Sequence, residues 1–430
     1  MSRRTRAENA LKALYSRYAG EAALPEFNYS EKQLELIRTF ERGELKRLNI
    51  LHGSVRSGKT WVSLVLWGLW VRTMPKEKSY LMAAKTLTNL KRNCLDLCSD
   101  LFGANFTYSL SAKEGQLFGR KIYLEGVNDS RAETKIRGMT LQGAYCDELT
   151  LFTEDFFSML LTRLSDKSAK LIATTNPDSP RHWLKKNYID HAAKKNVLVK
   201  KFLIDDNPFL DPEYVQDQKR LHSGLFYDRF ILGRWVLAAG RVYPMVADNP
   251  EAYILRGSTY GLDGQWYVSV DYGTANPCSM GLWCVRGKQA IRVREYYYSS
   301  RDNAHRQLTD EEYYLALEEL TSGVYVRDVI VDPSAASFIE TIRRHRNFHV
   351  RKADNDVLDG IRVTAALLSG GMVKVHESCR ASIDEFSLYS WDEKKHSDTV
   401  IKEHDHAMDE IRYFCYTLLA REFRWTEWKR

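Results

Sequence analysis

Apolar and polar positions alternate in blocks along the first half of the chain. Residues 48–51, 79–84, 121–124, 143–146, 171–175 and 197–204 are short apolar runs, and stretches of polar or helical period separate them. Runs of this length bounded by turn signals fit buried strands, and strands alternating with helices predict an α/β fold with a mostly parallel sheet. Residues 61–70 continue as an apolar helix. After residue 205 the pattern changes: Asn-Pro and Asp-Pro turn signals lead into residues 213–230, which read as one helix rich in aromatic and charged side chains, with no new strand. A second α/β alternation begins at residue 266. It predicts strands at 266–270, 280–285, 290–297, 325–331 and 373–376, and helices at 310–320, 334–345 and 406–421. Residues 388–401 read as a hairpin with a charged tip that includes His396. The expected organisation is a basic arm over residues 1–25, a first α/β domain over 26–205, a linker or small subdomain over 206–255, and a second α/β domain over 256–430.

Composition agrees with more than one core. At 430 residues, a prior of about 150 residues per domain gives two or three domains. The longest apolar run falls short of the roughly 18 residues that span a bilayer, so no membrane insertion is expected. The arm carries Arg3, Arg4 and Arg6 but lacks the apolar core and cleavage site of a secretory signal. A net charge of +7 leans toward a polyanionic partner. Seven cysteines without a C-x-x-C pair argue against a disulfide framework or a zinc site and suit a reducing cytosol.

Chemistry enters at the first strand-to-helix junction. Gly53-Ser54-Val55-Arg56-Ser57-Gly58-Lys59-Thr60 reads G-x-x-x-x-G-K-[ST], a loop whose backbone N–H groups close around phosphates. ATP is the expected ligand, with Lys59 reaching its β/γ-phosphates and the Thr60 hydroxyl holding Mg²⁺. Hydrolysis needs a second carboxylate station, and Gly143-Ala144-Tyr145-Cys146-Asp147-Glu148 supplies one: Asp147 toward the metal, Glu148 as general base for water. The run ending in Thr174, Thr175 and Asn176 is placed to sense the γ-phosphate. Gln33, with Phe27 and Tyr29 nearby, is a candidate reader of the adenine edge. A guanidinium on the transferred phosphoryl group is worth about 10³ to 10⁵ in rate. Arg56, inside the loop, would act in cis; Arg137 would be donated to a neighbouring subunit.

The second half carries its own acidic set. Trp266-Tyr267-Val268-Ser269-Val270-Asp271 and Val329-Ile330-Val331-Asp332 are strands ending in Asp, and His406 and Asp409 share one face of an apolar helix. Three carboxylates converging on one sheet edge repel unless cations bridge them. Paired Mg²⁺ or Mn²⁺ ions about 4 Å apart, held this way, clamp the attacking and leaving oxygens of phosphodiester hydrolysis.

The order of these motifs, Gly53 to Thr60, then Asp147-Glu148, then Thr174-Thr175-Asn176-Pro177, then Val270-Asp271-Tyr272-Gly273, Val331-Asp332-Pro333-Ser334 and the segment from His406 through Asp409 to Tyr413, resembles the large terminase subunit of tailed double-stranded DNA bacteriophages. The resemblance spans nearly the whole chain. It implies an N-terminal P-loop NTPase domain that packages DNA and a C-terminal RNase H-like nuclease domain. It also implies Asp271, Asp332 and Asp409 as nuclease metal ligands, with His406 as an auxiliary ligand or proton-transfer group. Lys59, Thr60, Asp147 and Glu148 carry over as the ATPase core, Thr174 to Asn176 as the coupling motif, and Arg56 or Arg137 as the arginine finger. Implied partners are double-stranded DNA, a small terminase subunit, the portal protein of the procapsid and other copies of the chain in a ring of five, all in the host cytoplasm. Two other readings stand beside it: a helicase or repair ATPase fused to a nuclease, and a non-catalytic DNA-binding scaffold.

Overall fold

The computed structural model describes residues 28–128, 132–274, 276–395 and 398–420. The expected basic arm, Phe27 and His396 lie outside the described residues. The chain forms two compact units: the first runs to residue 216 and takes in 227–237, and the second comprises 217–226 and the chain from 238 onward.

The first unit is built on eight strands: β1 Leu48–Gly53, β2 Ser79–Ala84, β3 Phe106–Ser109, β4 Glu114–Leu117, β5 Arg120–Gly126, β6 Gly143–Cys146, β7 Lys170–Thr175 and β8 Val197–Phe202, in the order β3-β4-β5-β2-β6-β7-β1-β8. The six strands from β5 to β8 pair in parallel, while β3-β4-β5 is an antiparallel edge. β1 and β6 are buried along their whole length, as parallel strands covered on both faces must be. The helix Lys59–Thr73 is buried continuously from Val62 to Val71. β3 and β4 were not expected from the sequence, because each has only four residues and alternates buried with exposed positions. Parallel strands share one direction, so the carboxyl ends of β1, β6 and β7 lie side by side, with β7 between the other two. That is the edge where such sheets bind ligands.

The second unit holds a seven-stranded sheet: β9 Ile254–Leu255, β10 Gln265–Asp271, β11 Cys278–Arg286, β12 Gln289–Tyr298, β13 Val326–Val331, β14 Val350–Lys352 and β15 Val373–His376, in the order β14-β13-β10-β11-β12-β15-β9. β10, β11 and β12 are antiparallel, and β13 pairs in parallel with β10. Alternation sorts the side chains. Val268, Val270, Val329 and Val331 face a core with the helices Asp310–Leu320 and Ala336–His345. Tyr267 and Ser269 face the helix His406–Phe414, where Phe414 stacks on Trp283 at 4.1 Å and Ser269 bonds Glu410. By the same period of two, Asp271 belongs to the face covered by that helix.

Two expectations need correction. Residues 213–230 form two helices, Pro212–Leu221 and Gly224–Phe230, with Gly224 at the start of the second taking φ +51°, a left-handed value that keeps the two from running on as one. The C-terminal helix is α-helical over His406–Phe414 and then widens to a π-turn at Cys415–Leu419. The segment 388–401 turns back on itself as expected: Trp391 bridges Val400, Ile401 N–H donates to Ser390 O at 2.9 Å and Asp392 N–H to Thr399 O at 2.8 Å, while Ser390 also bridges Arg241. Among the described residues no helix is long and apolar enough to cross a membrane.

Candidate functional site

In the first unit the loop after β1 is shaped by its backbone. Gly53 has φ +142°, and a Cβ there would lie 1.8 Å from the Phe202 carbonyl oxygen, so only glycine fits against β8. Ser54 N–H donates to the Phe202 carbonyl and Val55 N–H to that of Phe230, each at 2.9 Å, and the Ser57 hydroxyl closes onto Ser54 O at 3.0 Å. Arg56 takes φ +55°, and its carbonyl accepts from Asn207 Nδ2 at 2.8 Å. Gln33 sits third in the helix Glu31–Glu41, where it forms a capping box with Ser30, and its Nε2 donates to Gly58 O at 3.3 Å. Gln33 and Asn207 therefore hold the loop from two sides. Tyr29 packs edge-on against Trp61 at 5.1 Å.

Lys59 Nζ donates to Ser54 O at 2.9 Å and to Asn176 Oδ1 at 2.7 Å. Burial pulls its pKa down to about 8, against the pull of the Glu148 and Asp147 charges. An ammonium so desolvated gains from any anion brought beside it. Asp147, 2% exposed, accepts from the Thr174 hydroxyl at 2.7 Å on Oδ1 and from Asn93 Nδ2 at 3.0 Å on Oδ2. Glu148 has φ +53°, an uncommon conformation for a residue with a Cβ, and its N–H points to Thr174 Oγ1 at 3.4 Å. Thr175 Oγ1 meets Thr150 Oγ1 at 2.7 Å. The last two residues of β7 and the one that follows it thus touch three different stations: Thr174 the Asp147 carboxylate, Thr175 the turn after Glu148, Asn176 the loop lysine. Thr60 opens the helix, half-buried. Arg137 is 62% exposed and pairs with Glu133 at 2.9 Å. Asn93 had no role in the sequence reading. Its signal is structural, a π-turn at Lys91–Leu95, a local irregularity common at functional sites.

In the second unit β10 and β13 are neighbours with Val270 opposite Val331, so Asp271 and Asp332 leave adjacent strands at the same level. The helix His406–Phe414 meets both with one stripe, i, i+3 and i+7. His406 Nδ1 lies 2.9 Å from Asp271 Oδ2, the Tyr413 hydroxyl donates to Asp332 Oδ2 at 2.6 Å, and Asp409 lies between them on the stripe. Asp409 Oδ1 accepts from Arg412 Nη2 at 2.9 Å and Nε at 3.1 Å, and Oδ2 from Lys402 Nζ at 3.1 Å. Burial, with the Asp409 and Asp332 charges adding to it, pushes the Asp271 pKa up to about 6, although the His406 hydrogen bond opposes the rise. Burial works against charge on His406, but the bond to Asp271 together with the Asp271, Asp405 and Glu385 charges outweighs it and leaves its pKa raised. For Asp332, burial is outweighed by the Tyr413 hydroxyl and Ser334, which hold the carboxyl below its ordinary value.

Three aspartate carboxylates brought to one sheet edge by two strands and a helix are a donor set of the chemistry that suits hard divalent cations. Among the described residues no group of three or more His, Cys, Asp or Glu side chains stands close enough together to hold a metal ion. Arg412 and Lys402 hold Asp409 instead. Lys402, Arg412 and Tyr413 carry no local signal of these contacts in the sequence beyond the seven-residue spacing of Tyr413 from His406.

Residues 83–230 match the family model described as phage terminase large subunit. The large terminase from a thermophilic bacteriophage is 35% identical, with a TM-score of 0.86 over 91% of this chain and 100% of that one. The same phage's protein in complex with ATP-γ-S gives 36% identity and a TM-score of 0.83 over the same shares, 91% and 100%. The large terminase subunit of Escherichia phage T5 is 25% identical over 128 residues, which is 28% of this chain and 29% of that relative's length.

Proposed function

The chain belongs to the phage large terminase family, and from that premise we propose that it is a DNA-packaging motor subunit that hydrolyses ATP to move double-stranded DNA into a procapsid and cuts concatemeric DNA at a two-metal carboxylate site. The observation that carries the reading is that the segments following three adjacent parallel strands bring together Lys59 bonded to Asn176 and Asp147 bonded to Thr174. In the ATPase half, the loop amides and Lys59 would cradle the phosphates, and Gln33 would hold the loop and face the adenine. Thr60 and Asp147 would hold Mg²⁺, which supplies charge neutralisation at the phosphates. Glu148 takes the proton of the attacking water. Thr174 and Asn176 each touch one side of the site, so a change at the phosphates is transmitted along β7. Arg56 or Arg137 neutralises charge on the transferred group. In the nuclease half, Asp271, Asp332 and Asp409 would hold two Mg²⁺ or Mn²⁺ ions, which would activate water and stabilise the leaving oxygen. His406 orients Asp271 and can carry a proton at Nε2, and Tyr413 fixes Asp332. The acting assembly is a ring of five on the portal, loaded by a small terminase subunit in the host cytoplasm. Its contacts to DNA run mostly to phosphates and weaken with salt.

The test separates the two chemistries on purified full-length protein. Lys59→Ala should abolish ATP hydrolysis and leave Mn²⁺-dependent plasmid cleavage, whereas Asp271→Asn should do the reverse. ATP hydrolysis unaffected by Lys59→Ala, or cleavage unaffected by Asp271→Asn, overturns the corresponding half.

A further inference from the structure

The helix that brings His406 and Asp409 to the strand ends is not capped by its own preceding residue. Asp405 occupies the N-cap position but makes no side-chain cap bond; its carboxylate faces Lys402 at 3.1 Å. The cap comes from another helix, Arg380–Leu388. Glu385 Oε2 accepts from the N–H of Ala407 at 2.7 Å and of Met408 at 3.3 Å, while Oε1 accepts from the Tyr297 hydroxyl at 2.7 Å. Tyr297 stands on β12, which pairs with β11 and, through it, with β10, the strand that ends in Asp271. Glu385 is 4% exposed. A buried carboxylate joined to three donors on two elements is a rigid joint, because each lost bond leaves a desolvated group unpaired.

We propose that Glu385 is a positioning residue of the nuclease site, a joint between β12 and the first turn of the His406–Phe414 helix that sets His406 and Asp409 in register with the sheet-borne Asp271 and Asp332. This rests on the nuclease reading above. The two helix residues lie within one turn of the amides that Glu385 holds, and the His406–Asp271 contact of 2.9 Å closes the loop back to the sheet. Rotation of the helix about its axis would carry the His406, Asp409 and Tyr413 stripe away from the two strand ends, so metal affinity is the property most exposed to loss of the joint. An ordinary helix cap would affect stability and nothing else.

The experiment measures Mn²⁺ binding to the full chain by electron paramagnetic resonance of the free ion, alongside plasmid cleavage, ATP hydrolysis and thermal unfolding. Glu385→Ala should raise the Mn²⁺ concentration for half-saturation about tenfold, the scale seen when groups supporting metal ligands are removed, with ATP hydrolysis unchanged. Glu385→Gln, whose carboxamide oxygen still accepts from the helix N–H groups, should recover most of the affinity. A folded Glu385→Ala protein with wild-type half-saturation overturns the proposal. If that variant does not fold, Tyr297→Phe decides: it should shift half-saturation in the same direction, and no shift overturns the proposal. Asp271→Asn is the control for the reading beneath. Retained Mn²⁺ binding and cleavage in Asp271→Asn would sink the nuclease site itself, independently of Glu385.

Discussion

Asn93 and Thr174 share the two oxygens of Asp147, so the carboxylate proposed to hold Mg²⁺ is aimed by neutral donors. Removing a group that orients a metal ligand typically costs about 10- to 100-fold. Asn93→Ala should therefore lower the ATP hydrolysis rate by about tenfold or more and raise the Mg²⁺ requirement, while Mn²⁺-dependent cleavage is unchanged. A steady-state phosphate-release assay at several Mg²⁺ concentrations checks it. His52, in β1, gives a pH effect with a defined sign. Burial, helped by the Lys201, Lys59 and Lys185 charges, lowers its pKa to about 4 from 6.5. Between those values the unfolded chain binds more protons than the folded one, so stability is full above pH 6.5 and is lost as pH falls toward 4. At about 1.4 kcal/mol per unit the contribution is about 3 kcal/mol. His52→Gln should flatten the unfolding midpoint across that window, as followed by thermal scans at half-unit pH steps. The role of Lys59 was legible in the eight-residue loop, because a local backbone shape defines it. The role of Asn93 was not, because nothing local ties a surface-like helix residue to a strand end 54 positions away.

The helix His406–Phe414 is the element on which the second site depends, and its inner face is anchored by charge. Glu410 and Arg292 are fully buried and joined at 2.6 Å, with Arg292 also on Glu295 at 2.9 Å. Breaking a buried pair strands its partner and costs about 3–5 kcal/mol. Glu410→Ala should destabilise the second unit by that amount in urea unfolding and reduce cleavage, while ATP hydrolysis in the first unit persists below the transition. An unchanged transition would show that Arg292 finds other partners. Most of the expected strands appear because their apolar runs are buried on both faces, as with 143–146. The helices Val357–Ser369 and Arg380–Leu388 went unseen, although the first buries most of its residues and the second carries Glu385.

At the scale of the molecule, the two proposed chemistries fall in two units of one chain, and the proposed arginine finger decides whether one chain's site is completed by another. Arg56 sits within its own loop, whereas Arg137 is exposed on the surface. If Arg137 acts between subunits, mixing Arg137→Ala with Lys59→Ala protein should restore ATP hydrolysis above either alone, because intact loops then receive intact arginines. Mixing Arg56→Ala with Lys59→Ala should restore nothing, and the reverse pattern would make Arg56 the shared group. The sequence by itself determined the α/β class, the phosphate loop and the strand-end carboxylates, since each is written in contiguous residues whose period or turn chemistry is local. Only the tertiary structure decided that Thr174 serves Asp147 and Asn176 serves Lys59, that Tyr413 holds Asp332, and that Glu385 caps a helix beginning 21 residues later. Those pairings depend on strand order and helix rotation, which are set by how buried faces pack together and leave no short-range pattern in the chain.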